Sequence, residues 1–177
     1  MTTADAPRLT AVTLSTLAAT PATVRLLLTG LAEGTLHATP PAEAEAGDWS
    51  LHTVAVHLVD SHRRQVRRIR RMVAEDRPTL AAVDDWESLV VSGLQDEGTE
   101  ALIEVLAAER ASDVPWYASL DAAALGRTGV HSAAAEVSVA HVLNHAAYHD
   151  AQHLGQVARL IEVAADAGRG RMRFAGP

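Results

Sequence analysis

The sequence predicts an all-α protein, a four-helix bundle with a long crossover between its second and third helices. Three observations lead there. Hydrophobic residues make up 48% of the chain but aromatic residues only 3%, and this Ala- and Leu-rich balance favours packed helices over a β-sandwich. Four helical segments can be read, each bounded by proline, glycine or acidic loops. One connection is far longer than the others. At 177 residues the chain suits one domain able to bury its own core. Residues 1–177 are read as that domain, with a core over about 15–166 and a mobile N-terminus and C-terminal tail.

The first helical segment covers about residues 8 to 32, with Pro21 in the middle. Proline suits a first turn and kinks an interior, so a weak lead-in followed by a firmer helix from Pro21 is expected. After the loop ATPPAEAEAGDWS, with Asp48 or Ser50 as N-cap, the second helix runs from LHTVAVHLVD to about Glu75. Leu51, Val54, Ala55, Leu58, Val66, Ile69, Met72 and Val73 share one side of it. The crossover DRPTLAAVDDWESLVVSGLQDEG carries one short helical turn near Trp86. A third helix starts near Thr99, read as its cap, and Pro115 is expected to bend or interrupt it. The Gly-containing loop LGRTGVHSAAAE leads to Ser138, which can cap a long fourth helix.

The chain has no cysteine, which excludes disulfides, thiolate metal sites and a cysteine nucleophile. It has no basic, apolar leader and no run of the roughly 18 apolar residues a membrane span needs. A cytoplasmic protein without membrane contact is the expectation. All 15 basic residues are Arg and the formal charge is −7, which argues against nucleic acid as a partner. The run RRQVRRIRRM, with Arg63, Arg64, Arg67, Arg68, Arg70 and Arg71, is read as a solvated face of the second helix. Trp49, Trp86, Trp116 and Tyr117 are scattered and read as packing anchors.

The fourth helix raises a sharper question. His141, His145, His149 and His153 follow one another at intervals of four. Residues four apart sit about 40° apart around a helix axis, so His149 and His153 can aim at one point, as a two-ligand metal clip does. Val142, Ala146, Val157, Leu160 and Ala164 set the core direction. His153 lies on it and His149 beside it, whereas His145 falls at its edge and His141 further out. Gln156, one turn past His153, can hydrogen-bond a ligand ring. Asp150 also points inward and needs a partner there; orienting a ligand imidazole is one role for it. An H-x3-H pair alone is a modest signal, because single helical histidines are mostly surface or satisfied core residues. The pair needs a third partner, and the second helix offers His52, His57 and His62. His57 flanks the core face, and His62 projects at its centre, as a buried hydrogen-bonded ring or a rival ligand. Periodicity does not separate the two.

WSLHTVAVHLVD resembles the W-S-x6-H-L-x-D segment of the DinB/YfiT-like metalloenzymes, and HDAQHLGQVARL resembles their H-D-x-x-H-x-x-Q-I segment. The similarity runs from TPATVRLLLTGL to about Glu162 and includes R-I-R-R and D-R-P-T. It implies a four-helix bundle that binds one divalent metal through His57, His149 and His153. Thr53 stands where relatives often have Glu, which weakens a reciprocal cap with Ser50. His145 is an additional histidine, read as a flanking polar residue, with a fourth contact or a proton carrier at the mouth as alternatives.

Three neutral imidazoles leave the ion's charge uncompensated and its other positions open, which suggests chemistry. Zinc or nickel is the first expectation, and iron and manganese also suit imidazole. By resemblance, the leading function is a thiol-dependent S-transferase acting on small electrophiles with a low-molecular-weight thiol. A metal-dependent hydrolase, or a non-enzymatic, stress-related metal-binding helical protein, is the alternative. Relatives commonly dimerise, so a homodimer is also expected.

Overall fold

The computed structural model describes residues 8–44, 46–166 and 168–169. Residues 1–7 of the expected mobile N-terminus, and all but two residues of the tail GRGRMRFAGP, lie outside the described residues. The rest of that N-terminal stretch is held, with Thr10 N and Thr13 Oγ1 donating to Asn144 Oδ1 at 3.0 and 2.6 Å. Four long helices form the body: α1 (Thr13–Leu28), α3 (Leu51–Ala74), α5 (Thr99–Ala118) and α7 (Val139–Asp166). Short helices α2 (Glu33–Leu36), α4 (Asp85–Ser92) and α6 (Ala122–Gly126) lie between them. α1 packs chiefly on α5 and α7, and α3 on the same two, so α1 and α3 occupy opposite corners of a bundle. Among the described residues, no helix is long and apolar enough to cross a membrane.

Neither interior proline interrupts its helix. α1 passes through Pro21 without the expected restart, and α5 continues through Pro115. A proline forfeits one helical hydrogen bond, but Leu17, Thr20, Pro21 and Val24 are all buried in the bundle. Packing of that face holds α1 together where local propensity would break it. Thr99 was misread: Gly98 occupies the cap position, and the Thr99 hydroxyl hydrogen-bonds His52 Nδ1 at 2.9 Å. The Ser50 cap is confirmed, its Oγ accepting from Thr53 N at 3.1 Å.

The loop expected before the fourth helix is largely a β-hairpin. β2 (Thr128–His131) pairs antiparallel with β3 (Ala135–Ser138) and parallel with β1 (Thr79–Leu80) from the crossover. A Cβ on Gly129 would sit 3.0 Å from Leu80 Cδ1 and 3.1 Å from the Pro78 carbonyl, so a side chain there would crowd the β1–β2 pairing that glycine leaves open. Ser138 ends the hairpin and caps α7. Its Oγ accepts from His141 N at 3.1 Å, and its own N–H donates to His141 Nδ1 at 3.2 Å. A histidine thus fills the role Glu plays in a capping box.

The apolar core is split in two. One cluster joins Val24 and Leu28 of α1, Leu51 to Val59 of α3, Leu102 and Leu106 of α5, and Val157 and Leu160 of α7. The other joins Leu17, Val66, Ile69, Met72, Tyr117 and Val139 to Ala147. On every long helix the residues between the clusters are polar and buried: Thr20 on α1, Asp60 and His62 on α3, Arg110 and Asp113 on α5, Asp150 on α7. The bundle therefore has a polar waist. Each such group must find a partner there, since burying it unpaired costs about 1–3 kcal/mol.

Candidate metal centre

His57 is fully buried on α3, whose first half is enclosed nearly all round. His149 and His153 approach it from α7, which runs antiparallel: two turns past His57, Gln65 shares a cavity with Val142. His57 Nε2 lies 2.8 Å from His149 Nε2, and His153 Nε2 lies 3.2 Å from the same atom. One nitrogen from each ring falls within 4.8 Å of the others. The His153 Nδ1–H donates to Gln156 Oε1 at 2.8 Å, which leaves a lone pair on Nε2. His57 Nδ1 is buried with no hydrogen-bond partner among the described residues, so the ring can be satisfied only through Nε2. A single proton can bridge one of these close contacts and leaves the third nitrogen without a donor. One cation accepts all three lone pairs. Zinc at about 2.0–2.1 Å from each nitrogen would space tetrahedral ligands roughly 3.3 Å apart, against 2.8 and 3.2 Å for the two contacts made by His149 Nε2.

The electrostatics suit a cation. Burial first, then the neighbouring His153, pushes His57 down to about 4. Burial, His153 and His57 push His149 down to about 3. Both rings are therefore neutral near pH 7, the form that binds metal.

Trp49 closes one side, its indole parallel to His153 (5° between planes, centroids 5.8 Å apart) and tilted over His57 at 4.8 Å. Sequence reasoning assigned it to packing alone. Its place just before the Ser50 cap, where the chain enters α3, was the available signal. Trp86, by contrast, is 62% exposed and anchors little. Tyr117 is buried, and Trp116 stacks with the Arg70 guanidinium 5.3 Å above its ring.

The remaining candidates fall elsewhere. His145 is exposed, its ring 6.2 Å from that of His149. The structure does not bring His62 to the centre; its Nε2–H donates to Asp113 Oδ2 at 3.1 Å. Burial, with Arg110 and Arg63 near, pushes that ring down to about 3, and Arg70 balances the Asp113 carboxylate at 3.1 Å. Asp150 holds no imidazole: Arg110 Nη2 lies 3.1 Å from its Oδ1 and 3.0 Å from its Oδ2, both side chains buried. Ala164 is exposed, beyond the core that α7 builds. The arginine run is not wholly a solvated face either. The Arg64 side chain is 11% exposed, 3.1 Å from Asp85 and 3.5 Å from Asp60, which also accepts from Ser88 at 2.6 Å. Arg64 stands seven residues after His57, two turns along the same face.

A family model, that of the DinB superfamily, matches residues 16–157. The chain belongs to the DinB superfamily. No curated protein matches it. Among solved structures, YfiT from Bacillus subtilis is similar with a TM-score of 0.76 and 16% identity over 86% of each chain. That protein is described as "a probable metal-dependent hydrolase with an unusual four-helix bundle topology". At this identity the likeness is one of fold. It agrees with the bundle that the DinB-like segments around His57 and His149 implied.

Proposed function

We propose that this DinB-superfamily protein is a divalent-metal-dependent enzyme in which His57, His149 and His153 hold one ion and a small substrate is hydrolysed beside it. The supporting observation is the crowding of three imidazole nitrogens, two of them 2.8 Å apart, around one point between α3 and α7. A divalent ion on three neutral ligands supplies charge that acidifies a water and leaves positions open for it and for a substrate. Around that point Gln156 fixes the tautomer of His153, Trp49 shields two of the rings, and burial keeps His57 and His149 unprotonated. Zinc and nickel are the first metals to try.

Hydrolysis takes precedence over the S-transfer that the family resemblance favoured, because it needs water alone where transfer needs a second bound substrate. The test follows both. Purified protein should carry about one divalent ion per chain. His149→Ala or His153→Ala should lose it with helicity kept, and His145→Ala should keep most of it. Small esters and amides should then turn over without added thiol. Turnover only with a thiol and an electrophile would replace hydrolase by transferase. A metal that raises the melting temperature with no turnover in either arm would leave the non-enzymatic reading.

A further inference from the structure

A cavity of about 280 Å³ lies between α3 and α7 beneath the β2–β3 hairpin. Its walls include His145, whose ring is 6.2 Å from that of His149. The cavity thus begins one helical turn from the three-histidine centre.

Its polar lining consists chiefly of donors. Arg68 is half-buried, and its Nη2 donates to the Ala81 carbonyl at 2.7 Å. It makes no carboxylate ion pair among the described residues, Asp85 being taken by Arg64. Burial first, then Arg64 and Arg67 nearby, pushes its guanidinium below the usual value, and Asp85 offsets only part of this. Two imidazoles are locked in one tautomer by backbone N–H groups. His141 Nδ1 accepts from Ser138 N at 3.2 Å, and His131 Nδ1 accepts from Ala133 N at 3.2 Å. A neutral ring whose Nδ1 accepts carries its proton on Nε2, so both rings have an N–H left to donate. Val137 and Val142 supply apolar wall, and no carboxylate lines the cavity.

A lone half-buried guanidinium, imidazole N–H groups and apolar walls match one chemistry. We propose that this cavity binds the carboxylate of a small organic acid, so that the substrates of the neighbouring centre carry a carboxylate on a short apolar body. The substrate claim rests on the hydrolase reading, whereas the binding claim stands without it. Arg68 suits a planar carboxylate because its donors form a fork, and such charge-assisted bonds are about twice as strong as neutral ones. The acid's far end then lies toward His149.

Calorimetry with hexanoate and its neutral isostere hexanamide, on the full chain in the presence of zinc, tests this. Hexanoate should bind and hexanamide should bind about tenfold more weakly or not at all. Arg68→Met should weaken hexanoate about 10- to 100-fold, Arg68→Lys should recover part of the loss, and both variants should bind zinc as the parent does. His149→Ala, expected to lose zinc, should keep most of the hexanoate affinity. No hexanoate binding, equal binding of hexanamide, or indifference to Arg68→Met would overturn the proposal. If affinity vanishes in His149→Ala but survives Arg68→Met, the carboxylate sits on the metal; the cavity assignment then falls while the metal centre stands. Arg68-dependent hexanoate binding in a chain that takes up no zinc would sink the hydrolase instead.

Discussion

The Gln156 carboxamide oxygen sits 2.8 Å from His153 Nδ1 and accepts a hydrogen bond from its N–H, so one residue of α7 sets the tautomer of another a turn earlier. Hydrogen-bonding partners of this kind commonly account for 10- to 100-fold in metal affinity. Gln156→Leu should therefore lower zinc affinity by about that factor, measured by competition with a chromophoric chelator, while circular dichroism stays unchanged. Unaltered affinity would mean that the amide does not orient the ring.

Asp150 and Arg110 test the polar waist. Both side chains are nearly inaccessible, at 3% and 4% exposure. Removing one partner of a buried pair strands a charge, which typically costs about 3–5 kcal/mol, whereas removing both in favour of apolar groups is often neutral. Arg110→Met should destabilise by about that amount in urea unfolding, and the double variant Arg110→Met, Asp150→Leu should recover most of it. A double variant as unstable as the sum of the singles would show the pair to be uncoupled.

Acid should weaken the metal-free protein. Burial depresses His57 from 6.5 to about 4 and His149 and His62 to about 3. Between these values the unfolded chain binds protons that the folded chain does not. Stability is then full above about pH 6.5 and falls as pH drops toward 4. Each ring that stays neutral contributes up to about 1.4 kcal/mol per pH unit. Urea unfolding in a chelator at pH 7, 6 and 5 reads this directly, and His62→Phe should flatten the slope. A curve level from pH 7 to 5 would show these rings protonating freely in the fold.

Ala135 starts β3 with φ at +60°, in the left-handed region. A side chain there costs roughly 1 kcal/mol that glycine avoids. Ala135→Gly should raise stability by up to about 1 kcal/mol, seen as a higher midpoint at unchanged slope in denaturant. A lower midpoint would mean that the turn does not hold this conformation in solution.

The sequence made the long helices and the His149–His153 pair legible, because α7 is amphipathic enough for 3.6-residue periodicity to point both rings inward. The third histidine was not separable on α3 by periodicity. Val54, Val56, Leu58 and Val59 are all buried, so that stretch has no outer face against which to rank His57 and His62. Only the resemblance of its WSLHTVAVHLVD segment favoured His57. Pro21 and Pro115 misled because their local preference is overridden by packing that a linear reading does not see. The hairpin hid in strands of four residues, too short for alternation to register. Arg64 and Arg68 hid among six arginines, although their spacing from His57 puts them on its face.

The paired rings of His57 and His149 stand 92 positions apart along the chain. A cation shared between them would stitch α3 to α7 and enclose α4, α5 and the small sheet in one long loop. A chain with no cysteine would thereby gain a reversible cross-link, with the loop-closure benefit of a disulfide, roughly 4–5 kcal/mol at this span. The tie would answer to metal supply instead of redox state.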